Sequence, residues 1–242
     1  MRVDDVTMAE ALELVRAWLG ADASRLIVTP NAEIVMRARA DPAFRALLNR
    51  SDLSIPDGAG LLLAGRILGT PLREQVTGTD LAIRLAGCCA EDGRRVYLLG
   101  AAPGVAAEAG ERLRERYPGL IVAGAYPGSP QAAEDEALRA RIAEAAPVDL
   151  LLVAYGAPAQ ERWLDRNQSA LGIPVGIGVG GVFDFVSGRV PRAPAWLRRI
   201  GLDWAFRLVM QPWRWRRQLA LPAFIWLAIG TALRRRLTPR PH

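Results

Sequence analysis

Asp149-Leu150-Leu151-Leu152-Val153-Ala154 is apolar from its second residue onward and runs into Tyr155-Gly156-Ala157-Pro158, a turn built on glycine and proline. So short an apolar run, without polar alternation, is the pattern of a central parallel strand covered on both faces. Outward from it the same unit repeats. Residues 95–100 form a second apolar strand leading through Ala101-Ala102-Pro103-Gly104 into a helix over 105–116, and a strand over 120–124 and a helix over 130–145 follow. Past the central run, 160–167 reads as helix and 174–179 as a last strand. Toward the N-terminus, Thr7 caps an amphipathic helix ending at Gly20, and 25–28 is a strand. Helices are expected over 32–40 and 42–49, and Leu53-Ser54-Ile55 is a strand ahead of a helix over 59–68. This alternation predicts an α/β, Rossmann-like fold: a mostly parallel sheet with right-handed crossovers and helices on both faces. Ligands of such sheets sit beyond the carboxyl ends of the strands, so the loops there are the places to seek chemistry.

About half of the 242 residues are apolar, enough for a substantial core. The net charge of +6 is unevenly placed: residues 1–184 hold 19 arginines and 24 acids, whereas 185–242 hold 12 arginines and Asp203 as the only acid. Two parts are expected, an α/β catalytic domain over 1–190 and a basic, apolar, helical appendage over 191–242. Local charge of that size points to an anionic partner for the appendage, phospholipid headgroups or nucleic acid. All 31 basic residues are arginine and the only histidine is His242. Lysine Schiff bases, Walker-type phosphate lysines and the usual Ser/His/Asp or Cys/His nucleophiles are thereby excluded. Adjacent Cys88 and Cys89 suit neither a zinc site nor a disulfide framework and fit helix packing better. A general base then has to be a carboxylate or, less aptly, a tyrosine. The charged first twenty residues lack an apolar leader, from which a cytoplasmic location is expected. The longest uncharged stretch, 219–233, has fifteen residues; as a helix it spans roughly 22 Å against a hydrocarbon core of about 30 Å. It is expected to lie on a membrane surface or dip into it.

Each strand-end loop offers a chemical reading beside a plainer one. Asp57 in Ile55-Pro56-Asp57-Gly58 is a carboxylate ahead of a helix and can take a proton from an attacking hydroxyl, although Pro-Asp-Gly is also a common turn. Thr29 and Asn31 in Val28-Thr29-Pro30-Asn31 offer a hydroxyl and an amide to sugar hydroxyls, or cap the next helix. The turn from Gly100 to Gly104 is like a phosphate-binding turn without being GxGxxG. Gly156 opens a tight turn into a helix, where Gln160 can read a uracil or ribose edge or form a polar first turn. The glycines of Gly178-Val179-Gly180-Gly181, ahead of Asp184, allow close approach of backbone to ligand or of strand to helix. No DxD metal motif accompanies these loops, so neither metal nor cofactor is expected, and a leaving diphosphate would rely on arginines or helix N-termini. Interleaved tryptophan and arginine over 196–226 suits either the headgroup zone or a nucleic-acid face; the apolar 219–233 stretch favours lipid.

Together these segments resemble the WecG/TagA/CpsF glycosyltransferase family, from about Thr29 to Arg217. The resemblance is carried by TPNAEIV (29–35), LSIPDGAG (53–60), VTGTDL (76–81), VYLLGAAPGVA (96–106), ERYPGL (115–120), DLLLVAYGAPAQERWL (149–164), GVGGVFDFVSGRVPRAPAWLRRIGLDWAFRL (178–208) and QPWRWRRQL (211–219). It implies a GT-E fold and inverting, metal-independent transfer from a UDP-sugar to a sugar on undecaprenyl diphosphate, in cell-surface polysaccharide or teichoic acid synthesis. It further implies Asp57 as base, Thr29 and Asn31 at the sugar, Gln160 near the nucleotide, and Arg207, Arg214 and Arg217 lent to the donor diphosphate by a membrane-bound appendage. Where the family has arginine before VTGxDL this chain has Gln75, and Arg73 stands two residues earlier as a substitute. The enzyme is therefore expected at the cytoplasmic face of the plasma membrane, peripheral, without nucleic acid, and able to self-associate. The competing expectations are an NAD(P)-dependent oxidoreductase using the Gly100 turn, or a membrane-tethered nucleotide-binding protein without catalysis.

Overall fold

In the computed structural model, β1 (Arg25–Val28), β2 (Leu53–Ser54), β3 (Arg95–Gly100), β4 (Ile121–Tyr126), β5 (Leu150–Ala154) and β6 (Val175–Gly178) form a parallel sheet in the order β2-β1-β6-β5-β3-β4. The structure describes residues 1–199, 201–210, 212, 215 and 219–237, with backbone alone at 198, 199, 207, 236 and 237. β5 is central and wholly buried, pairing with β3 from Val96↔Leu150 to Gly100↔Ala154 and with β6 from Leu150↔Val175 to Val153↔Gly178. Alternate residues feed two cores, as the pleat requires. Val96, Leu98, Leu150, Leu152, Val175 and Ile177 meet α1 (Met8–Trp18), α5 (Gly78–Glu91), α6 (Val105–Arg116) and α9 (Val182–Val186). Tyr97, Leu99, Leu151 and Val153 meet α7 (Asp135–Glu144) and α8 (Ala159–Asn167). Beside them, Val28 packs with Ile34 and Ala38 of α2 (Ala32–Ala40) and Phe44 and Leu48 of α3 (Pro42–Arg50). The α/β, Rossmann-like expectation holds.

The glycines of β6 have a steric cause. A Cβ on Gly176 would lie 2.5 Å from the Gln168 Oε1, and one on Gly178 would lie 2.6 Å from the Gln160 Nε2. Gln160 in α8 and Gln168 at its C-cap lie against the strand, and only glycine leaves room for them.

Three boundaries differ from the sequence reading. β2 is two residues long, although the Ile55 N–H still donates to the Val28 carbonyl at 3.0 Å; Pro56 has no N–H with which to extend the ladder. β4 runs on to Tyr126, and the helix after it begins at Asp135 behind a short 3₁₀ turn. α5, which sequence marked only through its cysteines, is a fourteen-residue helix capped by Thr77, whose side chain accepts from the Asp80 N–H.

The C-terminal segment supplies α10 (Ala195–Arg199), α11 (Asp203–Met210) and α12 (Ala220–Leu237). Phe224 and Ala228 of α12 are buried against Leu61 and Ala64 of α4 (Ala59–Ile67), with Val35 and Met36 of α2 alongside. α12 also approaches α4 so closely that a Cβ on Gly60 would lie 2.7 Å from the Leu221 Cδ1. Among the described residues no helix is long and apolar enough to cross a membrane.

Candidate active site

Three loops meet at the carboxyl edge of the outer half of the sheet. From β1 comes Thr29, nearly buried, its Oγ1 donating to the Gly178 carbonyl at 3.3 Å. Asn31 follows as the N-cap of α2, its side chain accepting from the Ile34 N–H at 3.0 Å. From β2 comes Pro56-Asp57-Gly58, held to β1 by the Asp57 N–H donating to the Pro30 carbonyl at 3.1 Å. Gly58 turns the chain into α4 with φ 103°, a left-handed value that side chains resist. The third loop is the start of α5. Its Gly78 N–H donates to the Asp57 Oδ2 at 3.3 Å, so the carboxylate sits at the positive end of that helix dipole. A Cβ on Gly78 would lie 3.0 Å from the Thr29 Cγ2 and 3.4 Å from the Asp57 Oδ2, which shows how closely the three loops are packed.

Above them opens a cleft of about 610 Å³. It is lined by Asn31, Asp57, Gly58, Gln75 and Thr77 together with Phe185, Arg192, Trp204 and Leu221. Carboxylates dominate: Glu33, Asp57, Glu74, Asp80 and Asp203 all reach the wall, whereas Arg192 is the only basic residue on it among the described side chains. The Arg192 guanidinium donates to the Asp80 Oδ2 at 2.7 Å, and the Thr77 hydroxyl donates to the same oxygen at 2.8 Å. This Thr77-Asp80-Arg192 corner was not singled out from sequence. Arg192 lies 112 positions from Asp80, and only folding joins them.

The other expected residues fall elsewhere. Gly156, Gln160 and Gly180 are brought together, but behind the wall: Gln160 is 2 % exposed and its Oε1 accepts from both the Gly156 and Gly180 N–H groups. Gly100 ends β3 with φ 107° and is backed by Ala154, where a Cβ would lie 2.8 Å from the carbonyl carbon. Asp184 lies in α9 beside the cleft residue Phe185, its carbonyl accepting from the Val190 N–H. Arg73 is drawn away from the cleft by Asp5 and Glu10, with ion pairs at 3.0 and 2.7 Å. The Arg73 guanidinium, helped by the Thr7 N–H, holds the Glu10 carboxyl down at about 2. Arg214 and Arg217 lie outside the described residues, as does the Arg207 side chain. Burial pushes the Cys89 thiol up to about 12, which fits a packing role, and pushes the Tyr155 phenol well above its ordinary range, away from use as a base.

A parallel α/β sheet with a carboxylate-bearing cleft at its carboxyl edge is the architecture of an enzyme that binds its substrates beyond the strand ends. Residues 1–238 match the model of the glycosyl transferase WecG/TagA/CpsF family, and the chain belongs to that family. It is a glycosyltransferase, which leaves no role for the dinucleotide reading of the Gly100 turn. A Bacillus spizizenii protein named N-acetylglucosaminyldiphosphoundecaprenol N-acetyl-beta-D-mannosaminyltransferase is 32 % identical over 240 residues, covering 99 % of this chain and 91 % of the relative. A Bacillus subtilis protein of the same name is 32 % identical over 87 % of this chain and 81 % of its own length. A Staphylococcus aureus protein, again so named, is 29 % identical over 92 % of this chain and 87 % of its own.

Proposed function

We propose that this enzyme moves an N-acetylmannosamine-type hexose from a UDP-sugar to a sugar carried on undecaprenyl diphosphate, with inversion and with Asp57 as base. The observation that carries the reading is the Asp57 carboxylate on the cleft floor, fixed by the Gly78 N–H between the β1 and β2 loops. The names of the relatives, which specify mannosaminyl transfer to a diphosphoundecaprenol-linked sugar, support the acceptor class and the sugar type. Asp57 takes the proton of the acceptor hydroxyl as that oxygen bonds to the anomeric carbon. The bond from that carbon to the donor phosphate breaks, and its electron pair leaves on UDP. Attack opposite the leaving group inverts the anomeric configuration. A wall so rich in carboxylates repels a diphosphate, so cations are needed; Arg192 offsets the leaving charge, together with Arg207, Arg214 and Arg217 of the C-terminal sequence. The enzyme works as a peripheral protein on the cytoplasmic face of the membrane, in cell-surface polysaccharide or teichoic acid synthesis.

The test is Asp57→Asn. Turnover of UDP-N-acetylmannosamine on a diphosphoundecaprenol-linked acceptor is expected to fall about 10²- to 10⁴-fold with the melting curve retained. Near-normal turnover in a folded variant removes Asp57 from the role. Thermal stabilisation of the native enzyme by UDP and UDP-sugars checks the donor, and its absence refutes that assignment.

A further inference from the structure

Glu161 is fully buried, and among the described residues its Oε2 makes no hydrogen bond. An acid in that position costs free energy, and neither cleft chemistry nor packing calls for it. Its other oxygen gives the reason: Oε1 accepts from the Gln160 Nε2 at 2.9 Å. A glutamine amide has a donor end and an acceptor end, and an acceptor beside Nε2 decides which way it is turned. With Nε2 committed to Glu161, the Gln160 Oε1 faces the Gly156 N–H at 3.0 Å and the Gly180 N–H at 2.9 Å. Both glycines adopt left-handed backbone, φ 76° and 55°, at the carboxyl ends of β5 and β6. A flipped amide would set NH₂ against two N–H donors and lose both bonds.

We infer that Glu161 is a positioning residue: by orienting the Gln160 amide it clamps the loops after β5 and β6, and through them holds Thr29 against the Asp57 turn. The route is continuous. Gly180 follows Gly178, whose carbonyl accepts from the Thr29 hydroxyl, and Thr29 packs under Gly78, whose N–H holds Asp57. Burial raises the Glu161 carboxyl above its ordinary range, opposed by the hydrogen bond from Gln160 and, less, by the Arg37 cation on α2. The link to turnover rests on the sugar-transfer reading above, whereas the clamp itself does not.

Two variants and a cycle test it. Glu161→Gln keeps an acceptor oxygen in the same place and is expected to keep kcat within about threefold. Glu161→Leu removes the acceptor, and its kcat is expected to drop tenfold or more, while KM for the donor changes little. Because Glu161 acts through Gln160, E161L is expected to add nothing to Q160A, whereas a merely structural residue adds its full effect. Amide exchange, read by NMR on glycine-¹⁵N-labelled protein, is expected to quicken at Gly156 and Gly180 in E161L and not in E161Q. Equal E161L effects with and without Gln160, a tenfold loss in E161Q, or unchanged exchange at both glycines would each overturn the inference. A native enzyme that turns over no UDP-sugar overturns the donor assignment and the link to turnover, while exchange still decides the clamp.

Discussion

The backbone at Gly58, φ 103° and ψ 145°, lies in a region open almost only to glycine, immediately after the cleft carboxylate Asp57. Alanine at 58 is expected to cost about 1–3 kcal/mol, a fall in melting temperature of several degrees in a protein of this size. Circular dichroism melting reads it directly, and an unchanged midpoint would mean that the turn relaxes without loss. Glu161 yields a prediction with a definite sign. In the unfolded chain its carboxyl loses a proton near 4.5, whereas in the folded protein burial holds the proton to higher pH. Between those values the folded state binds more protons, so stability falls as pH rises through that window. E161Q has no proton to lose. Urea denaturation across pH 5 to 9 should therefore show E161Q gaining on the native protein as pH rises, and a pH-independent difference would count against a raised Glu161 carboxyl.

At the scale of elements, α12 is an apolar segment divided between two uses. Leu221, Phe224 and Ala228 turn inward onto α4 and α2, while Leu219, Trp226 and Leu233, seven residues apart, form an exposed stripe. Truncating Phe224 to Ala removes the inner anchor. We expect faster amide exchange along α12 and its partners, with a loss of about 2–4 kcal/mol if the helix unfolds with the domain and less if it detaches alone. Strands and loops were legible in the sequence because their signals are local: the apolar run 150–154, the glycine and proline turns, and the caps at Thr7 and Asn31. What was not legible depends on direction and distance. A polar residue in the first turn of α8 reads the same whether Gln160 faces solvent or the glycines of β6. Likewise nothing near Arg73 in sequence says that Asp5 and Glu10 hold it away from the cleft. Arg192 was hidden among twelve arginines, and only its ion pair with Asp80 separates it from the rest.

Across the whole molecule, the helices that present the cleft also carry the appendage. Asn31 opens α2, Asp57 and Gly58 lead into α4, and α12 lies across both, so a surface that fixed the outer face of α12 would also set the height of the cleft above it. The C-terminal segment leaves large apolar side chains exposed: Trp226 is 73 % exposed and Val209 76 %, with Trp196, Trp215, Leu219 and Leu233 also out in solvent. The same segment, 185–242, holds 12 arginines against Asp203 alone, while the body carries a net negative charge that an anionic surface repels. We propose that this segment meets an anionic lipid surface, with arginines for the phosphates and tryptophans for the interface. Two separable contributions follow. Raising salt should weaken sedimentation with phosphatidylglycerol-containing vesicles and leave weak binding to phosphatidylcholine unchanged. Trp226→Ala should weaken binding to both by about tenfold, the loss of roughly 1–2 kcal/mol of ring burial, without moving the melting temperature. If Trp226→Ala binds anionic vesicles as the native protein does, the stripe stays outside the bilayer and any attraction to them is left to the arginines.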